Sequence, residues 1–254
     1  MNRRPSQLVA LSLLALATLL AGCGSGSSKS TNAPTTRTIT VFAAASLTKA
    51  FTAEGRAFQA SHPGLRVTFS FAGSPTLVAQ IKQGAPASVL ATADLSSIDQ
   101  VKDKLSEAPV VFAHNQLAIV TAKGNPLKIT TLAGLGKPGL KVVLAGPTVP
   151  VGKAAAKALK AAHVTVKPVS LEDAVTGVVT KVRLGEADAG IAYVTDLVSS
   201  AAGSEVGGVP LPGTTTSLAI GALKGLSHPQ DAEAFLGYVQ SAAGRKILMS
   251  YGFT

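Results

Sequence analysis

The chain has 254 residues, of which 46% are hydrophobic and 14% charged, and its formal net charge at pH 7 is +10. A basic balance suits nucleic acid, anionic lipid or an acidic small ligand as a partner. Aromatic residues make up only 4% of the chain and the lysines are scattered, which argues against nucleic acid. Long-range attraction of anions and a simply solvated basic surface both fit better.

The first residues have the pattern of an export signal. A basic start at residues 1–4 precedes an apolar run over 8–20, which is short for a membrane span. The run ends in Leu-Ala-Gly-Cys, which resembles the lipobox of bacterial lipoproteins, and Cys23 is the single cysteine. We therefore expect a lipoprotein signal peptide at 1–22 and a lipid anchor on Cys23, which would hold the protein at the outer face of the bacterial cell membrane.

The segment after the expected cleavage point reads as a linker. Removing residues 1–22 takes away two arginines and no acidic residue, so the charge falls from +10 to +8 and 232 residues remain. Residues 23–36 are rich in Gly, Ser, Asn and Thr without an apolar pattern, which predicts a flexible tether. The remaining length is enough for one large or two small α/β domains.

The first folded stretch predicts a strand that leads into a helix. Residues 38–47 run from β-favouring side chains through three alanines to Ser46, and Leu47, Phe51 and Phe58 follow at helical spacing. We expect Ser46 or a neighbour to cap this helix. Ligands of open α/β sheets bind where strands end beside helix starts, and a helix N-terminus suits an anion.

The same alternation of strand and helix continues to the end of the chain. Ser74, before a proline, starts a second helix after a strand at 65–71, and Tyr193 ends a buried strand at 189–193. Further strands are predicted at 88–93, 116–121, 141–145, 165–169 and 217–223, and further helices at 97–100 (a capping box), 153–162, 173–184 and 229–249. Strands that alternate with helices predict parallel sheets, and two sets of them indicate two lobes.

No catalytic or metal-binding pattern is evident. The four histidines are scattered and lie near no Cys or acidic ligand pattern, which disfavours a zinc site. The chain has no Gly-x-Ser-x-Gly elbow, and no serine has an evident histidine partner. We expect no enzyme, and an extracellular hydrolase that uses Ser46 or Ser74 stays as a less favoured alternative.

Six motifs, in order and without large gaps, resemble the molybdate-binding proteins of molybdate ABC transporters. One motif alone would be unspecific, but the set covers the chain from about residue 37 to its end. The motifs lie at residues 39–47, 71–77, 83–87, 149–152, 185–193 and 251–253.

The resemblance implies a type II periplasmic-binding-protein fold, an α/β fold in which two lobes, joined by two crossing segments, close on a tetrahedral oxyanion. Lobe 1 would comprise residues 37–117 and 214–254, and lobe 2 residues 118–213. The family's ligand positions would fall on Ser46 and Ser74 in lobe 1 and on Val151, Val175 and Tyr193 in lobe 2. Hydroxyl and backbone N–H groups would hold the anion.

The sequence departs from the family pattern at a few positions. Val151 stands where alanine is common, but only its N–H would be used. Pro75 removes one N–H beside Ser74, and Ser88 replaces a common aspartate. The spacing from Asp173 to Gly177 is one residue longer, which leaves Ala174 as an alternative to Val175.

The resemblance implies an extracytoplasmic solute-binding lipoprotein that captures molybdate, and tungstate as well, for an ABC transporter permease. The metal would be held only through the oxygens of the anion, by the same five residues, and no cofactor is expected. The partners would be the oxyanion, the permease and, through Cys23, the membrane, and the chain would be a monomer that binds no nucleic acid. A lipoprotein for another oxyanion such as sulfate is the alternative, and an adhesive module without a ligand is a further one.

Overall fold

The computed structural model describes residues 36–198 and 206–254. The predicted signal peptide at 1–22, Cys23 and all but the last residue of the tether at 23–36 lie outside the described residues. Within the two described ranges, no helix combines the length and the apolar character that crossing a membrane requires.

One mixed sheet organises the described residues. Its strands are β1 (Arg37–Ala44), β2 (Leu65–Ala72), β3 (Val89–Thr92), β4 (Val110–Ala122), β5 (Val142–Ala145), β6 (Ser170–Glu172), β7 (Ala189–Tyr193) and β8 (Val206–Ala222). In space they follow the order β2-β1-β3-β8-β4-β7-β5-β6.

Helices follow most of the strands along the chain. They are α1 (Thr48–Ser61), α2 (Ser74–Lys82), α3 (Leu95–Ile98), α4 (Leu132–Leu135), α5 (Pro150–Ala161), α6 (Val175–Arg183), α7 (Val194–Val198), α8 (Pro229–Gln240) and α9 (Ala242–Ser250). A 3₁₀ turn at Ala45–Leu47 leads directly into α1, and a second 3₁₀ segment, Asp99–Lys104, follows α3.

The pairing divides the sheet into two halves joined by β4 and β8. In the first half β1 pairs in parallel with β2 and β3, and in the second half β5 pairs in parallel with β6 and β7. The long strands β4 and β8 pair with each other in antiparallel fashion, β8 extends the first half through β3, and β4 extends the second through β7. Parallel neighbours within each half place the C-terminal ends of their strands at one edge.

Each half has its own hydrophobic core. In the first half Phe51 and Phe58 of α1 meet Phe235 of α8, with Phe58 and Phe235 edge to face at 5.3 Å between ring centres. In the second half Val178 of α6 and Ile191 of β7 are fully buried in a separate cluster. Burying side chains of this size contributes about 1.5–3 kcal/mol each, so each half supplies its own stabilisation.

The halves meet where the β4–β8 ladder is irregular. Its register shifts between Gln116 and Ala118, which is next to the predicted lobe limit at 117/118. The predicted division into 37–117 with 214–254 and 118–213 remains a prediction.

Several predicted elements have different limits in the structure. The capping box at 97–100 is wrong, because Asp94 caps α3 and its Oδ1 accepts from the backbone N–H of Ser97 at 2.9 Å. The helix predicted at 229–249 is broken at Ser241, where the backbone is extended (ψ 167) and the hydroxyl caps α9.

Three predicted strands also differ, for reasons of pairing. The strand predicted at 165–169 is wrong, because the residues that pair with β5 are those of β6. The strands predicted at 116–121 and 217–223 are parts of the much longer β4 and β8, since these two pair with each other across both halves.

One carboxyl group is buried in the first core without a partner. Glu54 lies between Phe51 and Phe58 on the inner face of α1, is 0% exposed, and neither carboxyl oxygen has a hydrogen-bond partner among the described residues. Burial raises the pKa of Glu54 from 4.5 to about 8. The group is therefore a neutral acid at pH 7 in the folded chain.

We expect the stability of the protein to depend on pH through Glu54. The pKa in the folded chain is raised, so the stabilisation from the protonated form is complete below about pH 4.5 and is lost as the pH rises to about 8. In wild type this lowers the free energy of unfolding by about 3–5 kcal/mol between these pH values, and Glu54→Gln should abolish the decrease. Denaturant unfolding at pH 5 and pH 8 measures the difference, and Glu233→Gln, at an exposed site on α8, is the matched control. Equal pH dependence in Glu54→Gln and wild type would contradict this explanation.

Candidate functional site

A narrow cavity lies between the two halves, at the C-terminal ends of six strands. A water-sized sphere finds only about 10 Å³ of free volume in it, so the cavity is nearly closed in this structure. The residues after β1, β2 and β3 line one side, and those after β5 and β6, with the end of β7, line the other. They are Ala44, Ala45, Ser46, Gly73, Ser74, Ala93, Val149, Pro150, Val151, Ala174, Val175 and Tyr193.

The structure brings all the sequence-predicted site residues to this cavity. Ser46, Ser74, Val151, Val175 and Tyr193 are each part of its wall. Ala174, the alternative to Val175, lines it as well; it is the extended residue before α6 (φ −153), and Val175 is the first helical residue.

Four helical segments begin at the cavity without a side-chain cap. The N-cap residues are Ala44 before the 3₁₀ turn, Gly73 before α2, Val149 before α5 and Ala174 before α6. None of these side chains can accept a hydrogen bond, so none satisfies the first backbone N–H groups of its helix. The helix starts therefore offer donors and partial positive charge to the cavity.

Three other helices have caps of the usual kind. Asp94, Thr131 and Ser241 accept hydrogen bonds from the third residue of α3, α4 and α9 respectively. An Ala in place of such a cap costs about 1 kcal/mol of stability. The start of α8 behind His228 also lacks a side-chain cap, so what distinguishes the cavity is that four such starts meet there. A bound anion can take the place of the cap at this point.

The sequence predicts Ser46 or a neighbour as the cap of α1, and the neighbour Leu47 holds the N-cap position, without a side-chain hydrogen bond. Ser46 lies inside the 3₁₀ turn, whose N-cap is Ala44, and the residue before α1 is Leu47. The Ser46 Oγ atom is buried and has no hydrogen-bond partner among the described residues. The hydroxyl is consequently unused by the fold.

Tyr193 brings a second unused hydroxyl. Its side chain is 1% exposed, and its OH has no partner of hydrogen-bonding geometry in the described part of the chain. The Thr216 hydroxyl, which donates to the carbonyl of Asn115 at 3.4 Å, is a polar neighbour and acts to lower the Tyr193 pKa. Burial, together with the charges of Asp196 and Asp94, raises the pKa of Tyr193, which keeps this group a proton donor.

The backbone around Tyr193 is held by Asp196. Asp196 Oδ2 accepts from the Tyr193 backbone N–H at 2.9 Å. Burial raises the pKa of Asp196 to about 6, against the opposing effects of this hydrogen bond and of the Lys49 charge. The bond fixes the end of β7, and with it the direction of the Tyr193 side chain.

The Ser74 hydroxyl oxygen accepts a hydrogen bond within the fold, and its proton remains available to a ligand. Its Oγ accepts from the Ala93 backbone N–H at 3.1 Å, and the residue is 1% exposed. A hydroxyl that accepts through its oxygen can still donate through its hydrogen. Three hydroxyls, those of Ser46, Ser74 and Tyr193, are therefore available as donors in one cavity.

The chemistry of the cavity is that of a receptor for a hydrogen-bond acceptor. A buried hydroxyl without a partner costs about 1–3 kcal/mol, and two of them lie at this one place. No residue that lines the cavity in the described structure is charged, and none is a histidine that could activate a serine. The hydrolase alternative thus lacks the base that it needs.

Sequence reasoning missed Gly73 as a site residue. A Cβ atom at Gly73 would lie 2.2 Å from the backbone carbonyl oxygen of Asp173, which belongs to the other half. Contacts below 3.0 Å are not tolerated, and a backbone atom cannot swing away as a side chain does. The two halves approach this closely only because residue 73 has no side chain.

Comparison with known proteins gives the family. Residues 39–254 match the family model described as "Bacterial extracellular solute-binding protein". The chain belongs to this family. It is 45% identical, over 92% of both chains, to the molybdate-binding protein ModA of Mycobacterium tuberculosis. The family resemblance predicted from the six motifs is confirmed.

Solved structures agree with the fold. The periplasmic molybdate-binding protein of Azotobacter vinelandii superposes with a TM-score of 0.73 at 20% identity, over 85% of this chain and 98% of that one. The sulfate-binding protein SubI of M. tuberculosis gives 0.76 at 21% identity, over 85% and 86%. The predicted type II periplasmic-binding-protein fold, with two α/β lobes, is confirmed. The ligand roles of the five site residues remain predictions.

We expect Gly73→Ala to hinder closure of the cavity without unfolding the protein. The backbone of Gly73 (φ −59, ψ 140) suits alanine, but the added methyl must push Asp173 away. Anion affinity should fall at least about tenfold while the melting temperature of the ligand-free protein stays within about 2 °C. Calorimetric titration and thermal unfolding measure the two quantities. Gly237→Ala, where the methyl meets nothing within 4 Å, is the control; unchanged affinity in Gly73→Ala would contradict the close approach.

Proposed function

We propose that this protein binds molybdate, and tungstate in the same way, and delivers it to the permease of an ABC transporter. The observation that carries the proposal is the pair of buried hydroxyls without partners, Ser46 and Tyr193, in a cavity where four uncapped helical segments begin. The 45% identical relative from M. tuberculosis is named a molybdate-binding protein, which supports the choice of anion.

The proposed ligand set combines side chains and backbone from both halves. Ser46, Ser74 and Tyr193 donate through their hydroxyls. Val151 and Val175 donate through their backbone N–H groups, since each lies in the first turn of a helix, α5 or α6, whose N-cap has no acceptor. We prefer Val175 to Ala174 because Val175 is the first helical residue of α6.

A site of neutral donors selects by protonation state. A fully ionised tetrahedral dianion only accepts hydrogen bonds, so every hydroxyl and backbone N–H group of the proposed ligand set can donate to it. Hydrogen phosphate carries a proton that would need an acceptor, and an unmatched polar group costs about 1–3 kcal/mol. The negative charge is balanced by helix dipoles rather than by a lysine or arginine.

Sulfate is the second candidate, because it is also a tetrahedral dianion that only accepts hydrogen bonds. The likeness to the sulfate-binding protein SubI supports the fold alone, at 21% identity. Val151 and Val175 are both buried in the wall and limit its width. Parallel titrations with molybdate, tungstate and sulfate distinguish the candidates by size.

We expect the loss of either unused hydroxyl to weaken binding. Ser46→Ala and Tyr193→Phe each remove one donor to the anion, so the dissociation constant for molybdate should rise about 10- to 100-fold. The ligand-free protein should be as stable as wild type or more so, because a buried hydroxyl without a partner is removed.

Calorimetry and thermal unfolding test this pair of effects, with Ser250→Ala and Tyr251→Phe as matched controls outside the cavity. Affinity for molybdate that is unchanged in both site variants would refute the proposed ligand set. If the wild-type protein binds sulfate and not molybdate, sulfate is the ligand and the molybdate proposal fails.

The proposed place of action is the outer face of the membrane. The signal at 1–22 would direct export, lipid on Cys23 would hold the chain, and residues 23–36 would let a monomeric domain reach the permease. This geometry keeps the captured anion near the transporter without any other membrane contact.

We expect Cys23→Ala to release the protein from the membrane. Without the thiol no lipid can be attached, and a tether of small polar residues has no affinity for a bilayer. Cell fractionation with an antibody against the domain should find wild type in the membrane fraction and Cys23→Ala in the soluble exported fraction or the medium. Cys23→Ala that stays with the membrane after residues 1–22 have been removed would argue against the lipid anchor.

A further inference from the structure

In the described part of the chain, an ion pair beside the cavity connects the two halves. Lys153 of α5 lies in the second half, and its Nζ donates to Asp94 Oδ2 of the first half at 2.9 Å. The same ammonium group donates to Ser96 Oγ at 2.8 Å. By contrast, the Arg37–Asp231 and Lys181–Glu172 pairs each lie within one half.

The carboxylate in this pair is held in position by its own half. Asp94 is the N-cap of α3, so its Oδ1 accepts from the Ser97 N–H at 2.9 Å, and Ser96 Oγ donates to Oδ2 at 3.0 Å. Burial opposes ionisation of Asp94, but the hydrogen bonds from Ser97 and Lys153 outweigh it and hold its pKa below the ordinary value. Lys153 therefore meets an ionised, preorganised partner, which limits the entropy that the contact costs.

Both partners adjoin the wall of the cavity. Asp94 directly follows Ala93, and Lys153 lies two residues after Val151. The side chains are 35% exposed for Lys153 and 20% for Asp94, so the pair is partly shielded from water. Because the two residues belong to different halves, their contact exists only when the halves are close together.

We propose that Lys153 and Asp94 form a latch that holds the two halves together over the cavity and so slows the release of the bound anion. The inference rests on the proposed function, since it concerns the lifetime of the bound state. Lys153 is a positioning residue here and not a ligand, because its ammonium group is engaged by Asp94 and Ser96. The latch acts after the anion has entered, so it affects dissociation more than association.

A double-mutant cycle with Lys153→Gln and Asp94→Asn tests the latch. Asparagine still caps α3, and glutamine keeps much of the length of the lysine side chain, so both variants should fold. Radiolabelled molybdate is bound to the purified protein, and its release is followed after a large excess of unlabelled molybdate is added. Each single variant should release the label about three- to tenfold faster than wild type, with the association rate within about twofold.

The double variant separates a latch from a simple charge effect. If the pair acts as a unit, the double variant releases molybdate no faster than the faster single variant. If Lys153 only offsets the negative charge of Asp94 near the anion, Asp94→Asn should bind molybdate more tightly than wild type. Release from Asp94→Asn that is equal to or slower than wild type overturns the latch.

Controls separate this result from a failure of the proposed function. Lys157→Gln removes an exposed charge one turn further along α5 and should leave the release rate unchanged. The melting temperature of the ligand-free Lys153→Gln protein should stay close to that of wild type, which excludes general unfolding. If wild type retains no molybdate, the proposed function fails; if wild type retains it and the variants release it at the same rate, only the latch fails.

Discussion

The structure depends on backbone N–H groups and hydroxyls that the fold itself leaves without partners. Four helical segments start at one cavity behind Ala44, Gly73, Val149 and Ala174, none of which can cap a helix. Three other helix starts are satisfied by a side chain, as at Asp94, whose carboxylate accepts from the third residue of α3. The cavity therefore has a need for acceptors that only a molecule from outside the chain can meet.

The connection between the halves places the donors of both on opposite sides of one cavity. Each half could form its sheet edge alone, but donors from one side cannot surround a small anion. The antiparallel pair of β4 and β8 carries the chain across and brings the two edges face to face. Gly73 then lets the backbones approach until the carbonyl of Asp173 would touch a Cβ atom. Closure is thus a matter of backbone shape as much as of side-chain chemistry.

The residues that line the cavity are neutral, whereas charged residues stand just outside it. The cavity itself is lined by neutral residues, so selectivity rests on the number and direction of donors. Lys153 and Asp94 stand just outside, where their attraction joins the halves without presenting a full charge to the ligand. Glu54, in the core, differs from Asp94. It has no partner among the described residues and stays protonated because burial raises its pKa to about 8.

The sequence by itself determined the alternation of strands and helices and the family, and the resemblance to that family implied the five residues that the structure gathers at the cavity. These depend on short-range patterns: apolar periodicity, small residues at the ends of strands, and motifs in order along the chain. It did not determine that Ser46 lies inside a 3₁₀ turn rather than at a cap, that β6 lies at 170–172, or that Asp94 caps α3.

Only the tertiary structure decided which contacts cross between the halves. The approach of Gly73 to Asp173 and the pairing of Lys153 with Asp94 join residues far apart in sequence, and neither has a local signal. The same holds for Ser46 and Tyr193, whose hydroxyls are recognisable as unused only once every neighbouring group is in place. Local pattern specifies each strand and helix, whereas the distances across the cavity follow from how β4 and β8 set two separately packed cores against each other.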